Sequence, residues 1–272
     1  MGFLFLVIAY LLYGISDAVG PLSYEIGSNT YNLAFLNSFL PVPLIVSAML
    51  ITKQKIRISQ KALLASLILG VLSAVTTLTM NLSYVMIGVG MGTMLHMSHT
   101  LVASFGEAAI LKKRPRKITM LSLVIVLAGI ACMVGGQNEI SILGIFFALL
   151  SGIAYGSIML MLAHTAVKTL LPMQVQFYSL IIASVILFFY GNMTHQLALT
   201  GLSGSAWKIH IFCALATNFA GFLFVQLGVR RAGASAGSIL GSLEPVTSTV
   251  LGVLILNESV SPLKLAGCIL II

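Results

Sequence analysis

The chain has 272 residues, 59% of them hydrophobic and 7% charged, with a mean hydropathy of +1.09. Soluble domains carry roughly a quarter charged residues, so a water-soluble globular fold is excluded. The 14 Lys plus Arg against 6 Asp plus Glu give +8, which in a soluble chain would point to nucleic acid; here the bases have another use, and no nucleic-acid partner is expected.

At about 20 apolar residues per crossing, segments cut at charges and Gly/Pro/Asn clusters predict helices at about 3–20, 31–51, 62–82, 89–111, 118–136, 142–163, 172–191, 206–228, 234–256 and 264 onward. The first has no basic stretch before it, and Asp17 and Glu25 stand where a leader-cleavage site would be sought, so it is expected to be a retained membrane helix. Leu6 stands where a myristoylation signal beginning at Gly2 needs Ser or Thr, so no lipid anchor is expected. The tenth segment runs only from Lys264 to Ile272, about 13 Å of helix against a hydrocarbon core of about 30 Å. The sequence is therefore expected to stop inside its last span. Cys132, Cys213 and Cys268 fall singly in apolar runs and read as packing residues, with no disulfide or thiolate metal site.

The fold class expected is all-α integral membrane. If the N-terminus is cytoplasmic, Lys53, Lys55, Arg57, Lys61, Lys112, Lys113, Arg114, Arg116, Lys117, Lys168, Arg230 and Arg231 all lie inside, and only Lys208 and Lys264 lie outside. The excess of inside bases favours that orientation, in the plasma membrane.

The two halves resemble each other. A shift of 142 places Gly2, Tyr13, Gly14 and Phe35 on Gly144, Tyr155, Gly156 and Phe177. A shift of 145 places Gly88, Gly92, Leu95 and Leu111 on Gly233, Gly237, Leu240 and Leu256. A five-helix unit duplicated in tandem is expected, over residues 1–136 and 137–272. Because five is odd, the second copy enters the membrane inverted, as in secondary transporters whose substrate site lies near the midplane between repeats.

The stretch from Ala234 to Ile272, ASAGSILGSLEPVTSTVLGVLILNESVSPLKLAGCILII, resembles the last two helices of the EamA branch of the drug/metabolite transporter superfamily. The basic junction between Leu111 and Gly129 is similar to the same junction in the first repeat. This resemblance implies ten helices in two inverted repeats, alternating access, and a cavity lined mainly by the first four helices of each repeat. It also implies a small-metabolite substrate, often an amino acid or related compound that is exported. The first repeat departs from the second in having Lys113 opposite Glu258 and Thr100 opposite Pro245.

Glu244 is the sharpest candidate residue. It is expected near the middle of the ninth helix, where a carboxylate costs several kcal/mol unless paired, hydrated or protonated. Pro245 beside it removes a backbone donor and is expected to kink the helix. Glu244 reads either as a proton-coupling or substrate-amine group, or as a structural residue at the kink. The 145 offset pairs it with His99, and His96 stands one turn earlier; histidine suits a proton relay, and the bland reading is interhelical hydrogen bonding. Direct contact between Glu244 and His99 is a further expectation of the symmetry.

Tyr10, Tyr13 and Asp17 share one side of the first helix, with Asp17 expected near the outer mouth, where it attracts an amine or is hydrated at the interface. Tyr155, mate of Tyr13, is read as cavity hydroxyl or aromatic packing. Asn37, Asn81, Gln176, Asn218 and Gln226 are intramembrane amides, and Asn81 and Gln226 are mates at the 145 offset. The run Met91, Met94, Met97 with His96 and His99 raises a soft-metal pathway, set against methionine's ordinary role as apolar filler. The Gly88-Val89-Gly90-Met91-Gly92 run lacks the strand and the Lys-Ser/Thr of a phosphate loop.

The function expected is secondary transport of a small organic metabolite, with protons as coupling ion, no cofactor or resident metal, and no enzymatic activity. The expected partners are the solute and the bilayer, with a homodimer as the candidate assembly. The alternative class, an intramembrane enzyme acting on lipid or isoprenoid, needs clustered carboxylates or a metal set, and only Glu244 is placed at mid-membrane depth.

Overall fold

The computed structural model describes residues 1–112, 121, 124–125, 128, 141–232 and 240–256. Among these, every regular element is helical. The tenth expected span, Cys132, Cys268, Glu139 and Glu258 lie outside the described residues, as do all but four positions of the fifth.

Helix α1 (Gly2–Val19) is apolar up to Ser16 and Asp17 near its end and continues into a 3₁₀ segment, Gly20–Ile26, closed by Gly27 at φ 94°. The Asn29 side chain caps α2 (Thr30–Phe39), accepting from the N–H of Asn32. Pro41 opens α3 (Pro41–Ile51), where its missing N–H costs nothing because the first turn leaves those donors unbonded. Ser59 caps α4 (Gln60–Ile87), and Gly88 at φ 80° ends it. The fourth expected helix is divided into α5 (Val89–His96) and α6 (His99–Ile110). Helices α7 (Ile142–His164) and α8 (Pro172–Met193) follow. Next come α9 (Gly204–Ala214), a π-helical turn (Leu215–Gly221) and α10 (Phe222–Ala232) as one bent span, and then α11 (Leu243–Leu256).

Six helical stretches among the described residues are long and apolar enough to cross a membrane. Large apolar side chains such as Phe3, Leu64, Phe189 and Leu254 are exposed, as required of a surface solvated by lipid. Small residues set the close helix contacts: Gly70 of α4 faces Ile182 of α8, and Gly152 of α7 faces Ser98 and the carbonyl of His96. This is the small-residue packing that membrane helices use where no hydrophobic drive exists between them.

Several close contacts occur twice, at the 142 and 145 offsets. A Cβ on Gly14 would meet Thr247 Cβ at 2.6 Å and the Glu244 carbonyl at 2.7 Å; one on Gly156 would meet Val102 Cβ at 2.6 Å and the His99 carbonyl at 2.8 Å. Gly2 likewise abuts Arg231 and Ala232, and Gly144 abuts Met86 and Ile87. The turns after α3 and α8 also match. Lys53 and His195 both adopt left-handed φ, 52° and 56°, and Gln54 N–H to Met49 O and Gln196 N–H to Gly191 O are both 2.9 Å. This is a helix-ending arrangement that usually takes glycine.

Each turn leads into a loop latched to the start of another helix. Asn32 of α2 holds Ala198 twice, donating to its carbonyl and accepting from its N–H, both at 2.9 Å, while Asn29 donates to the Gln196 carbonyl at 2.8 Å. At the corresponding place in α8, Gln174 donates to the Lys55 carbonyl at 2.7 Å and Tyr178 to the Ile56 carbonyl at 2.6 Å.

Two expectations are corrected. Glu244 is not amid a continuous helix: it lies in the first turn of α11, after a turn at Gly241–Ser242. Pro245 therefore helps start a helix instead of kinking one, because its absent N–H falls among the first-turn donors that need no partner. His99 likewise opens α6 and is not mid-helix.

Candidate functional site

A cavity of about 140 Å³ lies between the helices, walled by residues of α1, α2, α4, α5, α7, α8, α10 and α11 and of the π turn. Of the polar residues singled out in the sequence, Tyr13, Asp17, Asn37, Asn81, His96, Tyr155, Asn218 and Glu244 are on its wall. Tyr10, His99, Gln176 and Gln226 are not on it.

The local structure explains how each group arrives there. Span-long α4 presents Ser73, Thr76, Thr77, Met80 and Asn81, three to four residues apart along one face and therefore in line on a helix. The break after α5 leaves the His96 carbonyl free to accept from Nδ1 of His99 at 2.9 Å. Because a carbonyl only accepts, that nitrogen of His99 carries a proton. The His96 ring is fixed on its other side by a 2.8 Å hydrogen bond between its Nδ1 and Ser151 Oγ. Tyr155 stands edge-on to His99 at 5.0 Å and tilted to His96 at 5.3 Å, so the three rings form one cluster beside the cavity.

The π turn contributes Thr217 and Asn218. Such a turn frees backbone carbonyls inside a helix, and Gln176 takes two of them, donating to Asn218 O at 3.0 Å and Phe219 O at 3.1 Å. Asn218 in turn donates to Asn37 O at 3.0 Å. Gln176 is thus an interhelical hydrogen bonder, while Asn37 and Asn218 combine that role with a place on the wall.

Asp17 is on the cavity wall with Oδ2 buried, in a helical stretch that continues to Ile26. Asp17 and Glu244 line the same cavity, and their helices meet at Gly14, which abuts the Glu244 carbonyl. They are the acidic residues of the wall, and no Lys or Arg lines it among the described residues. Glu244, 6% exposed, sits in the first turn of α11. The positive end of the helix dipole favours a carboxylate there by about 0.3–2 kcal/mol, the upper end applying to partly buried geometries.

The direct contact expected between Glu244 and His99 is not what brings the halves together: His99 is bonded to His96 and edge-on to Tyr155. Met91 and Met94 pack in an apolar cluster with Ile87, Leu95 and Ala148, as filler. No group of three or more His, Cys, Asp or Glu is placed to hold a metal among the described residues. Sequence reasoning missed the hydroxyls Ser73, Thr76, Thr77, Ser179 and Thr217. Their only signal is membership of a buried face, since a lone Ser or Thr is readily accommodated in an apolar helix by bonding a carbonyl one turn back.

Comparison with known proteins bears on the whole arrangement. The model of the EamA-like transporter family matches residues 1–135 and 142–272. An uncharacterized transporter, YwfM, of Bacillus subtilis (strain 168) is 28% identical over 186 residues, covering 66% of this chain and 61% of that protein. The match thus spans about three fifths of the length of that relative. A protein of known crystal structure superposes with a TM-score of 0.72 at 15% identity, over 99% of this chain and 93% of that one, a likeness of fold alone.

Proposed function

We propose that this chain, which belongs to the EamA-like transporter family and so to the drug/metabolite transporter superfamily, is a secondary transporter. In this reading it carries a small organic metabolite, an amino acid or related compound, out of the cell by alternating access, with protons as the coupling ion. Membrane residence and small-molecule transport follow from the family and the apolar helices; the rest is inferred here from the site. The carrying observation is the cavity between the helices, where eight candidate polar residues from both halves of the chain meet, Glu244 and His96 among them.

Two further observations support ten helices in two inverted five-helix repeats, 1–136 and 137–272. One is the family model's match to each half in turn. The other is the pairing of Gly14 on Glu244 and Thr247 with Gly156 on His99 and Val102. The family and the transporter relative point away from an enzyme, and the cavity wall offers two carboxyls and one imidazole among the described residues, not the clustered set that lipid chemistry generally needs.

The test is flux into proteoliposomes across a panel of amino acids, amines and sugars. One chemical class should be carried against its gradient when a pH gradient is imposed; failure of the whole panel would remove the solute-exporter reading. Orientation is checked in intact cells. An impermeant thiol reagent should label a cysteine at exposed Lys208 and spare one at exposed Lys61, because the basic loops are inside; the reverse pattern would invert the topology.

A further inference from the structure

We propose that Asp17 and Glu244 together form one cation site, and that the solute carried is an amine of net positive charge, not a neutral zwitterion or an acid. The inference rests on the reading of this cavity as the substrate site.

The two carboxyls come from α1 and α11, whose backbones are brought into contact at Gly14, one helical turn before Asp17 and against the carbonyl of Glu244. Both line the cavity with no Lys or Arg beside them among the described residues. A buried carboxylate needs a compensating positive charge, and two neighbouring ones need it more. The protein supplies one imidazole on that wall, His96, and its Nδ1 is already engaged by Ser151. What the protein does not supply comes from a proton or from a cation that enters, and an entering ammonium group takes the proton's place.

The uncharged wall points the same way. Asn37 is 8% exposed, and its Oδ1 has no hydrogen-bond partner among the described residues; an oxygen there accepts from a donor such as an ammonium N–H. Asn81 is 6% exposed, and its Nδ2 is also unpartnered, which calls for an acceptor on the same solute. A solute carboxylate could satisfy Asn81 only by approaching two carboxyls of like charge. An amide, ester or hydroxyl oxygen meets the need without that repulsion. The rings of Tyr13 and Phe222 on the wall add faces that attract an ammonium group.

A matched series isolates charge from shape: L-leucinamide (net +1), L-leucine (neutral zwitterion) and N-acetyl-L-leucine (net −1), with n-propylamine and putrescine as smaller amines. Equilibrium binding of each radiolabelled compound is measured on the full chain in nanodiscs. Leucinamide or a smaller amine should bind at least about tenfold more tightly than leucine, a difference of roughly 1.4 kcal/mol, with N-acetyl-leucine weakest. Asp17→Asn and Glu244→Gln should each weaken amine binding about tenfold or more, and Asp17→Glu, which keeps the charge, should retain most of it. A thermal melt of each variant separates lost binding from lost folding.

The proposal is overturned if leucine or N-acetyl-leucine binds as tightly as the amines, if no amine binds, or if both neutralising substitutions leave amine binding intact. Ser179→Trp, which fills the cavity, tests the underlying reading separately. Zwitterion flux that this substitution blocks would sink the cation assignment and leave transport through the cavity standing. Flux of any solute that survives it would remove the cavity itself from the pathway.

Discussion

Glu244→Gln is expected to abolish flux driven by a pH gradient while leaving the protein inserted, folded and able to bind lipid. The substitution keeps shape and volume and removes only the ionisable group. A carboxylate buried to 6% exposure on a wall shared with Asp17 is a net cost to the fold, several kcal/mol before compensation. The thermal midpoint of the Gln variant should therefore be unchanged or higher, since replacing an ill-compensated buried charge is commonly neutral or stabilising. A proton carried in exchange for solute needs a group that binds it in one step and releases it in another; an amide does neither. Uphill flux should fall to the level of empty vesicles, while downhill leak at equal pH is less affected. Pair His96→Gln with it: if only Glu244→Gln stops the pH-driven component, coupling resides in the carboxyl. If pH-driven flux persists in Glu244→Gln, the residue is a fold element at the start of α11 and not a coupling group.

The second large effect concerns the two latches. Asn32 is fully buried and bonds both the N–H and the C=O of Ala198. Asn32→Ala removes two hydrogen bonds to Ala198, an exposed residue whose backbone groups turn to water instead, at about 0.5–1.5 kcal/mol for each bond lost. A fall in thermal midpoint is therefore expected. Gln174→Ala removes the Lys55 bond and the bond that Gln174 accepts from the Leu171 N–H, so a loss of similar size is expected, with Asn29 and Tyr178 still holding their loops. Function separates them. With the N-terminus inside, the 196–198 loop is outer and the 55–56 loop inner. A cysteine at Ser179 should then react faster with outside reagent in Asn32→Ala and with inside reagent in Gln174→Ala. Faster labelling from the same side in both variants would show that the latches are not opposed gates.

Helix positions were legible in the sequence because lipid leaves few alternatives: each span must be apolar and hydrogen-bonded within itself, and α1, α7 and α8 fall within about two residues of their expected starts. The interruptions were not legible. The breaks after His96 and before Leu243 and the π turn at Leu215–Gly221 sit in apolar sequence, and they persist because neighbours such as Gln176 satisfy the freed carbonyls, a property of partners far away in sequence. The first helix was expected to end at about residue 20, whereas its 3₁₀ continuation runs to Ile26. The candidate site was legible where a residue is costly in lipid, as with Glu244, His96 and the amides. Ser73 and Ser179 bond carbonyls of their own helices, cost little and so announced nothing.

The paired glycine contacts carry a consequence for the resting state. If the cavity changes sides by the two halves exchanging conformations, a chain with identical halves would favour neither side, since each end state would be the other seen from across the membrane. Here Gly14 rests on the backbone of an acid, Glu244, and Gly156 on that of an imidazole, His99. Inequalities of this kind set the balance, and little is required of them: a difference of about 1.4 kcal/mol between the two end states already gives a tenfold preference for one side. The side on which the transporter waits for its solute is then chosen where its two halves differ, not where they agree.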